Sequence, residues 1–250
     1  MSKTIDFGNI TVYVEDSYEA VGRRAADIFA KALATAPTGI FGFATGSTPL
    51  SLYGELVKRY NAGTLDFSGI TTFNLDEYYP IQKSNDQSYD YFMRENLFDH
   101  INVPQDRINL PNGEAPDPDI ECARYEMAIR SSSGLELQIL GIGENGHIAF
   151  NEPAEAFTNA TNYTSLTQST IDANARFFAS ADEVPKHALT MGIKTIMQAK
   201  QILLIANSAK KAEIIRDSLL GDITPQVPAS ALQLHRDVHI VLDPEAASAL

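Results

Sequence analysis

Short apolar, β-branched runs separated by helical patterns constrain this chain more than any other feature of its sequence. Ile10 to Val14, Gly39 to Ala44, Ile70 to Leu75, Leu135 to Leu140, Gln201 to Ala206 and Val238 to Leu242 read as strands. After the first run, Asp16 and Glu19 form a capping box for a helix with Val21, Ala25, Ile28, Phe29 and Leu33 on its apolar face. Thr48-Pro49 opens a second helix. Further helices are predicted from about Asp117 to Ser131 and from Ala209 to Leu219, and Tyr78 to Tyr91 reads as a polar loop entering another. This order predicts βαβ crossovers: an α/β, single-domain, Rossmann-like open sheet, mainly parallel, with helices on both faces. A chain of 250 residues can bury such a core. With no internal repeat, low-complexity tract or linker, one domain over 1–250 is expected. The stretch from about 152 to 182 fits the rhythm poorly, and is expected to be a lid or binding segment.

The charge balance narrows the partners. Nineteen Lys and Arg stand against 32 Asp and Glu, a net charge of −13. No nucleic-acid partner is expected, because such binding needs clustered cations. An anionic substrate therefore needs a local cationic site against an unfavourable overall field. The single cysteine, Cys122, gives no intrachain disulfide and reads as a buried, inert thiol on a helix. No Cys/His cluster or paired-His spacing marks a metal site. Without a signal pattern or a run of membrane-spanning length, a cytoplasmic soluble protein is expected, with no membrane partner.

Three segments carry chemistry. Thr45-Gly46-Ser47-Thr48-Pro49 lies where a strand passes into a helix, so free backbone N–H groups and two hydroxyls could cradle a phosphate. It lacks the Gly-Lys-Ser/Thr of a Walker loop, and taken alone it reads sooner as a capped turn without ligand. Asn74-Leu75-Asp76-Glu77-Tyr78 ends another strand. Pleat alternation puts Asn74 and Asp76 on one side and Glu77 on the other. Asp76 could serve as a general base if partly desolvated, or belong to a solvated acidic pair. In Gly141-Ile142-Gly143-Glu144-Asn145-Gly146-His147, a glycine-rich turn follows a strand and matches the dinucleotide fingerprint. Pro153 soon interrupts the helix that fingerprint should open, and no acid lies about twenty residues beyond Gly146 for a ribose. The glycines instead free the backbone so that His147 points into a crevice, with Asn145 and Glu152 close enough in sequence to orient its ring. Arg176, flanked by aromatics, and Lys210, at a helix start where a lysine is locally unfavourable, are the cations available to an anion.

Together these segments, with Arg176-Phe177-Phe178, Val184-Pro185-Lys186 and Leu232-Gln233-Leu234-His235, resemble the glucosamine-6-phosphate deaminase family over about Ile10 to Leu242. The resemblance implies conversion of glucosamine 6-phosphate and water to fructose 6-phosphate and ammonia, with no cofactor. It implies that Asp76 moves a proton between C2 and C1, and that His147 opens the sugar ring, supported by Glu152. Thr45, Gly46, Ser47, Thr48, Arg176 and Lys210 would hold the phosphate. Many members carry Asp where this chain has Asn145, an amide able to hydrogen-bond the imidazole without charging it. Longer members extend at the C-terminus and form allosteric hexamers. The shorter chain here points to a monomer without that activation, a homo-oligomer being left open.

Two rivals remain at this stage. The 6-phosphogluconolactonases share the glycine-histidine turn, but typically continue toward Ser-Leu-Phe-Pro, where this chain has Phe150-Asn151-Glu152-Pro153. A non-catalytic sugar-phosphate sensor usually accompanies a DNA-binding segment, for which this chain has no spare length.

Overall fold

The apolar runs become the parallel heart of an eight-stranded sheet. In the computed structural model, residues 2–178 and 180–250 are described; Met1, and Ala179 within the expected lid, lie outside them. The chain begins with an antiparallel pair, β1 (Lys3–Asp6) and β2 (Ile10–Val14), followed by α1 (Tyr18–Thr35). Next come β3 (Ile40–Phe43), α2 (Leu50–Asn61), β4 (Thr71–Asn74), β5 (Asp76–Tyr79), α3 (Tyr89–Asn96) and β6 (Ile108–Asn109). The second half continues with α4 (Pro118–Arg130), β7 (Leu135–Leu140), β8 (Asn162–Ser165), α5 (Gln168–Asn174) and β9 (His187–Thr190). It closes with α6 (Ile193–Ile196), β10 (Gln201–Ala206), α7 (Ala212–Leu220) and β11 (Val238–Leu242).

The main sheet runs β1-β2-β11-β10-β7-β3-β4-β6, parallel everywhere except at β1. All four residues of β3 and five of the six in each of β7 and β10 are buried, so both faces are covered. That burial explains why these strands read as continuous apolar runs. Phe29 of α1 packs its ring 5.0 Å from Phe41 and 5.8 Å from Phe43, fastening helix to sheet. Strand order reverses where β7 meets β3, and the carboxyl ends of β10, β7, β3 and β4 open there onto one crevice.

Several expectations need correction. Ser17, not Asp16, caps α1, accepting from the Ala20 N–H. Thr48 makes no capping bond to α2, whose first turn follows Pro49. Tyr78 and Tyr79 lie in a strand rather than a polar loop, since β5, β9 and β8 form a separate three-stranded antiparallel sheet. The stretch from 152 to 182 is also more regular than expected, holding β8 and α5. No helix among the described residues is long and apolar enough to cross a membrane.

Candidate active site

Asp76 sits at the junction of the two sheets. The Leu75 N–H donates to the Phe43 carbonyl of the large sheet (3.0 Å), while the Leu75 carbonyl accepts from the Met191 N–H (2.8 Å). The chain then enters β5, where Asp76 pairs with Thr190. Its carboxyl is only 6% exposed and receives no hydrogen bond among the described residues. Burial first, and the adjacent Glu77 charge second, push its pKa well above the usual carboxylate range. Glu77 points the other way, as the pleat requires. Its oxygens accept from the N–H groups of Tyr78 (2.9 Å), Tyr89 (2.8 Å) and Asp90 (3.0 Å), anchoring the start of α3. Even so, burial raises it to about 7. Tyr78 walls the pocket, its ring 4.8 Å from Tyr89 and 5.7 Å from both Phe150 and Phe178.

The histidine turn hangs from the same piece of β9 as Asp76. The Phe150 N–H donates to Thr190 Oγ1 (3.0 Å), and Asn151 Nδ2 donates to the Met191 carbonyl (2.8 Å). Thr190, the last residue of β9, and Met191 just after it thus fix Asp76 and the imidazole relative to each other. Gly143 shapes the turn by what it lacks. A Cβ there would fall inside the His147 ring, so the imidazole lies directly over the glycine backbone.

Glu152 is held from three directions. Asn145 Nδ2 donates to its Oε2 (2.6 Å), Thr170 Oγ1 donates to its Oε1, and Thr167 Oγ1 lies 3.2 Å from the same oxygen. His147 Nδ1 is 3.4 Å from Oε2, an ion-pair distance whose orientation falls short of a formed hydrogen bond. Burial alone would raise the Glu152 pKa. Contact with His147, its charge, and the bonds from Thr170 and Asn145 outweigh burial and hold it at about 2. Asn145 therefore does not reach the imidazole, as its sequence position implied. Its amide ties Glu152 to the turn, its oxygen accepting from the His147 backbone N–H (3.2 Å).

At the other side of the crevice, the Thr45–Thr48 loop meets the segment after β10. Thr48 Oγ1 lies 3.4 Å from Asn207 Oδ1, and Tyr18 of α1 donates its hydroxyl to the Ser47 carbonyl (2.9 Å). Gly46 and Ser47 are exposed, and Thr45 and Thr48 half-buried. Lys210 points outward, 76% exposed and 3.8 Å from the Glu144 carboxylate. Its neighbour Lys211, which the sequence reading passed over, takes the inner place. Burial lowers the Lys211 pKa; the Glu144 charge opposes that shift, and the positive charges of Lys210 and Arg176 add to it. A half-buried lysine beside two further cations makes a site suited to an anion. Arg176, on the turn after α5, stacks its guanidinium 4.6 Å from the Phe177 ring centroid. In the sequence, only the shift of one residue within Lys210-Lys211 separated the two lysines. The left-handed backbone of Ser208 (φ 85°), just before the two lysines, left no trace there.

Comparison with known proteins agrees with this geometry. The family model of glucosamine-6-phosphate isomerases/6-phosphogluconolactonase matches residues 14–241. A glucosamine-6-phosphate deaminase of Clostridioides difficile is 49% identical over 239 residues, covering 96% of each chain. A solved monomeric glucosamine-6-phosphate deaminase superposes with a TM-score of 0.93 at 44% identity, covering 96% of this chain and 99% of that one. The 6-phosphogluconolactonase of Thermotoga maritima shares the fold alone, with a TM-score of 0.74 at 18% identity and coverage of 94% and 99%. The chain belongs to the glucosamine-6-phosphate isomerase/6-phosphogluconolactonase family and, within it, groups with the glucosamine-6-phosphate deaminases.

Proposed function

We propose that this protein converts glucosamine 6-phosphate and water to fructose 6-phosphate and ammonia. The observation that carries the reading is a division of labour between two carboxyls. Asp76 is buried and raised in pKa, while Glu152 is ionised beside His147. Environments that push two carboxyls apart separate a proton-transferring group from an electrostatic one.

In this reading Arg176, Lys211 and the Gly46–Thr48 loop hold the phosphate, with Thr45 shaping the loop and Lys210 adding charge at its rim. His147 moves a proton between the anomeric hydroxyl and the ring oxygen, opening the pyranose. Glu152 favours the imidazolium form during that transfer, as a buried acid does for a catalytic histidine. Asp76 then takes the proton from C2, giving an enolamine, and returns it to C1. The imine left at C2 is hydrolysed by water, releasing ammonia. A carboxylate with raised pKa is a stronger base than an exposed one, which suits this transfer. In this reading the segment carrying β8 and α5, followed by Phe178 against Tyr78, acts as a lid over the site.

The reading makes the chain an enzyme of amino-sugar breakdown acting as a monomer, which the monomeric relative supports. A cytoplasmic setting suits a phosphorylated sugar, whose charge opposes passage through apolar lipid. The test is coupled detection of ammonia and fructose 6-phosphate from glucosamine 6-phosphate, with Asp76→Asn as control. Equal release of both products, lost in the variant, supports the proposal. A folded, inactive wild type that hydrolyses 6-phosphogluconolactone overturns it.

A further inference from the structure

Three side chains reach the Glu152 carboxylate besides His147, and two of them come from a different part of the chain. Asn145 belongs to the histidine turn itself. Thr167 and Thr170 lie at the start of α5, fifteen and eighteen residues after Glu152. Thr167 caps the helix, its Oγ1 accepting from the Thr170 N–H (3.3 Å). Thr170 faces inward and is 6% exposed.

Each hydroxyl has one proton to give. That of Thr170 goes to Glu152 Oε1. Thr167 Oγ1 stands 3.2 Å from the same oxygen, 3.1 Å from Thr170 Oγ1 and 3.0 Å from Ser169 Oγ, which can donate to it and leave its own proton for the carboxylate or Thr170. Asn145 occupies one side of Oε2 at 2.6 Å. With Oε1 anchored to α5 and Oε2 anchored to the turn, rotation of the carboxylate is blocked. The remaining face of Oε2 is left directed at His147 Nδ1. Packing alone does not call for a hydroxyl at residue 170, because valine has the same shape. Burying the hydroxyl there is costly unless it is bonded, and its bond is to the carboxylate.

We propose that Thr170, backed by Thr167, is a positioning residue for the ring-opening pair: its hydroxyl fixes the Glu152 carboxylate so that Oε2 faces His147, making the pair depend on α5 being docked. The inference rests on the function proposed above.

The experiment compares Thr170→Val, Thr170→Ser, Glu152→Gln and the double variant Thr170→Val/Glu152→Gln. Thr170→Val should lower kcat about tenfold or more, the scale of a lost hydrogen bond to a charged group. KM should stay within about twofold, because no group touching the phosphate changes. Thr170→Ser should recover most of the loss. In the Glu152→Gln background, Thr170→Val should add little, since the group it positions has lost its charge. Independently of turnover, carbon-13 titration of the Glu152 carboxyl should move upward in Thr170→Val and return in Thr170→Ser. Losses that multiply in the double variant, or a Glu152 titration unmoved by Thr170→Val, overturn the proposal. A wild type without deaminase activity overturns the functional reading instead, and the carboxyl titration then decides the positioning role alone.

Discussion

At the scale of single residues, the site depends on small differences in placement. A methyl group at Gly143 would occupy the space of the His147 ring, so Gly143→Ala displaces the imidazole from Glu152. We expect kcat to fall at least a hundredfold while the protein stays folded, read from steady-state kinetics beside a circular dichroism melt. The two neighbouring lysines separate in the same way. Lys211→Met should raise KM for the sugar phosphate by tenfold or more, as about 1.4 kcal/mol of phosphate contact is lost. Lys210→Met, at an exposed position paired with Glu144, should change KM by no more than about twofold. Equal effects of the two would reverse the assignment of the inner cation. The sequence pointed to Asp76, His147 and Glu152 because each follows a recognisable strand end or glycine turn. It could not reveal the choice between Lys210 and Lys211, adjacent residues of the same type. Nor could it show that the Asn145 amide reaches Glu152 instead of the imidazole.

At the scale of elements, the proposed phosphate loop is braced by α1. Tyr18, at the first turn of α1, donates to the Ser47 carbonyl and accepts from the Ser51 N–H (3.1 Å), bridging the loop and the start of α2. The two helices approach so closely that a Cβ at Gly22 would stand 2.5 Å from the Ser51 carbonyl oxygen. Gly22→Ala should therefore push α1 from α2, lowering stability by about 1–3 kcal/mol in a denaturant titration. KM should rise with it, because Tyr18 moves. A variant with unchanged stability would show that the helices adjust at no cost. The same scale explains what the sequence conceals. β2, β7, β10 and β11 match their apolar runs residue for residue. β5, β8 and β9 include Asp76-Glu77, Asn162 and His187, polar residues that become strands only by pairing with one another. Asp76 meets Thr190, 114 residues on, and Asn162 meets the same residue 28 residues on, so no local periodicity marks these strands.

At the scale of the whole molecule, the buried carboxyls pull stability in opposite directions with pH. Glu152 is held at about 2, so its ionised form favours folding. That contribution is present above the unfolded value near 4.5 and disappears as pH falls toward 2. Glu77 is raised to about 7, so folding favours its protonated form. Its contribution is full below about 4.5 and is lost as pH rises toward 7. Each shift corresponds to something on the order of 3 kcal/mol. Urea titrations across this range should show Glu152→Gln losing its deficit against wild type as the solution is acidified below pH 4.5. Glu77→Gln should flatten the fall in stability between pH 4.5 and 7. Parallel curves for wild type and both variants would mean that neither carboxyl is linked to folding.

The segment that carries Thr170 at one end of α5 carries Arg176 just past the other. A sugar lacking its phosphate would therefore lose more than affinity, because nothing would draw that segment into register over the ring-opening pair. Unphosphorylated glucosamine should turn over slowly even at saturation. Free phosphite, offered as the missing piece, should speed it without ever becoming attached.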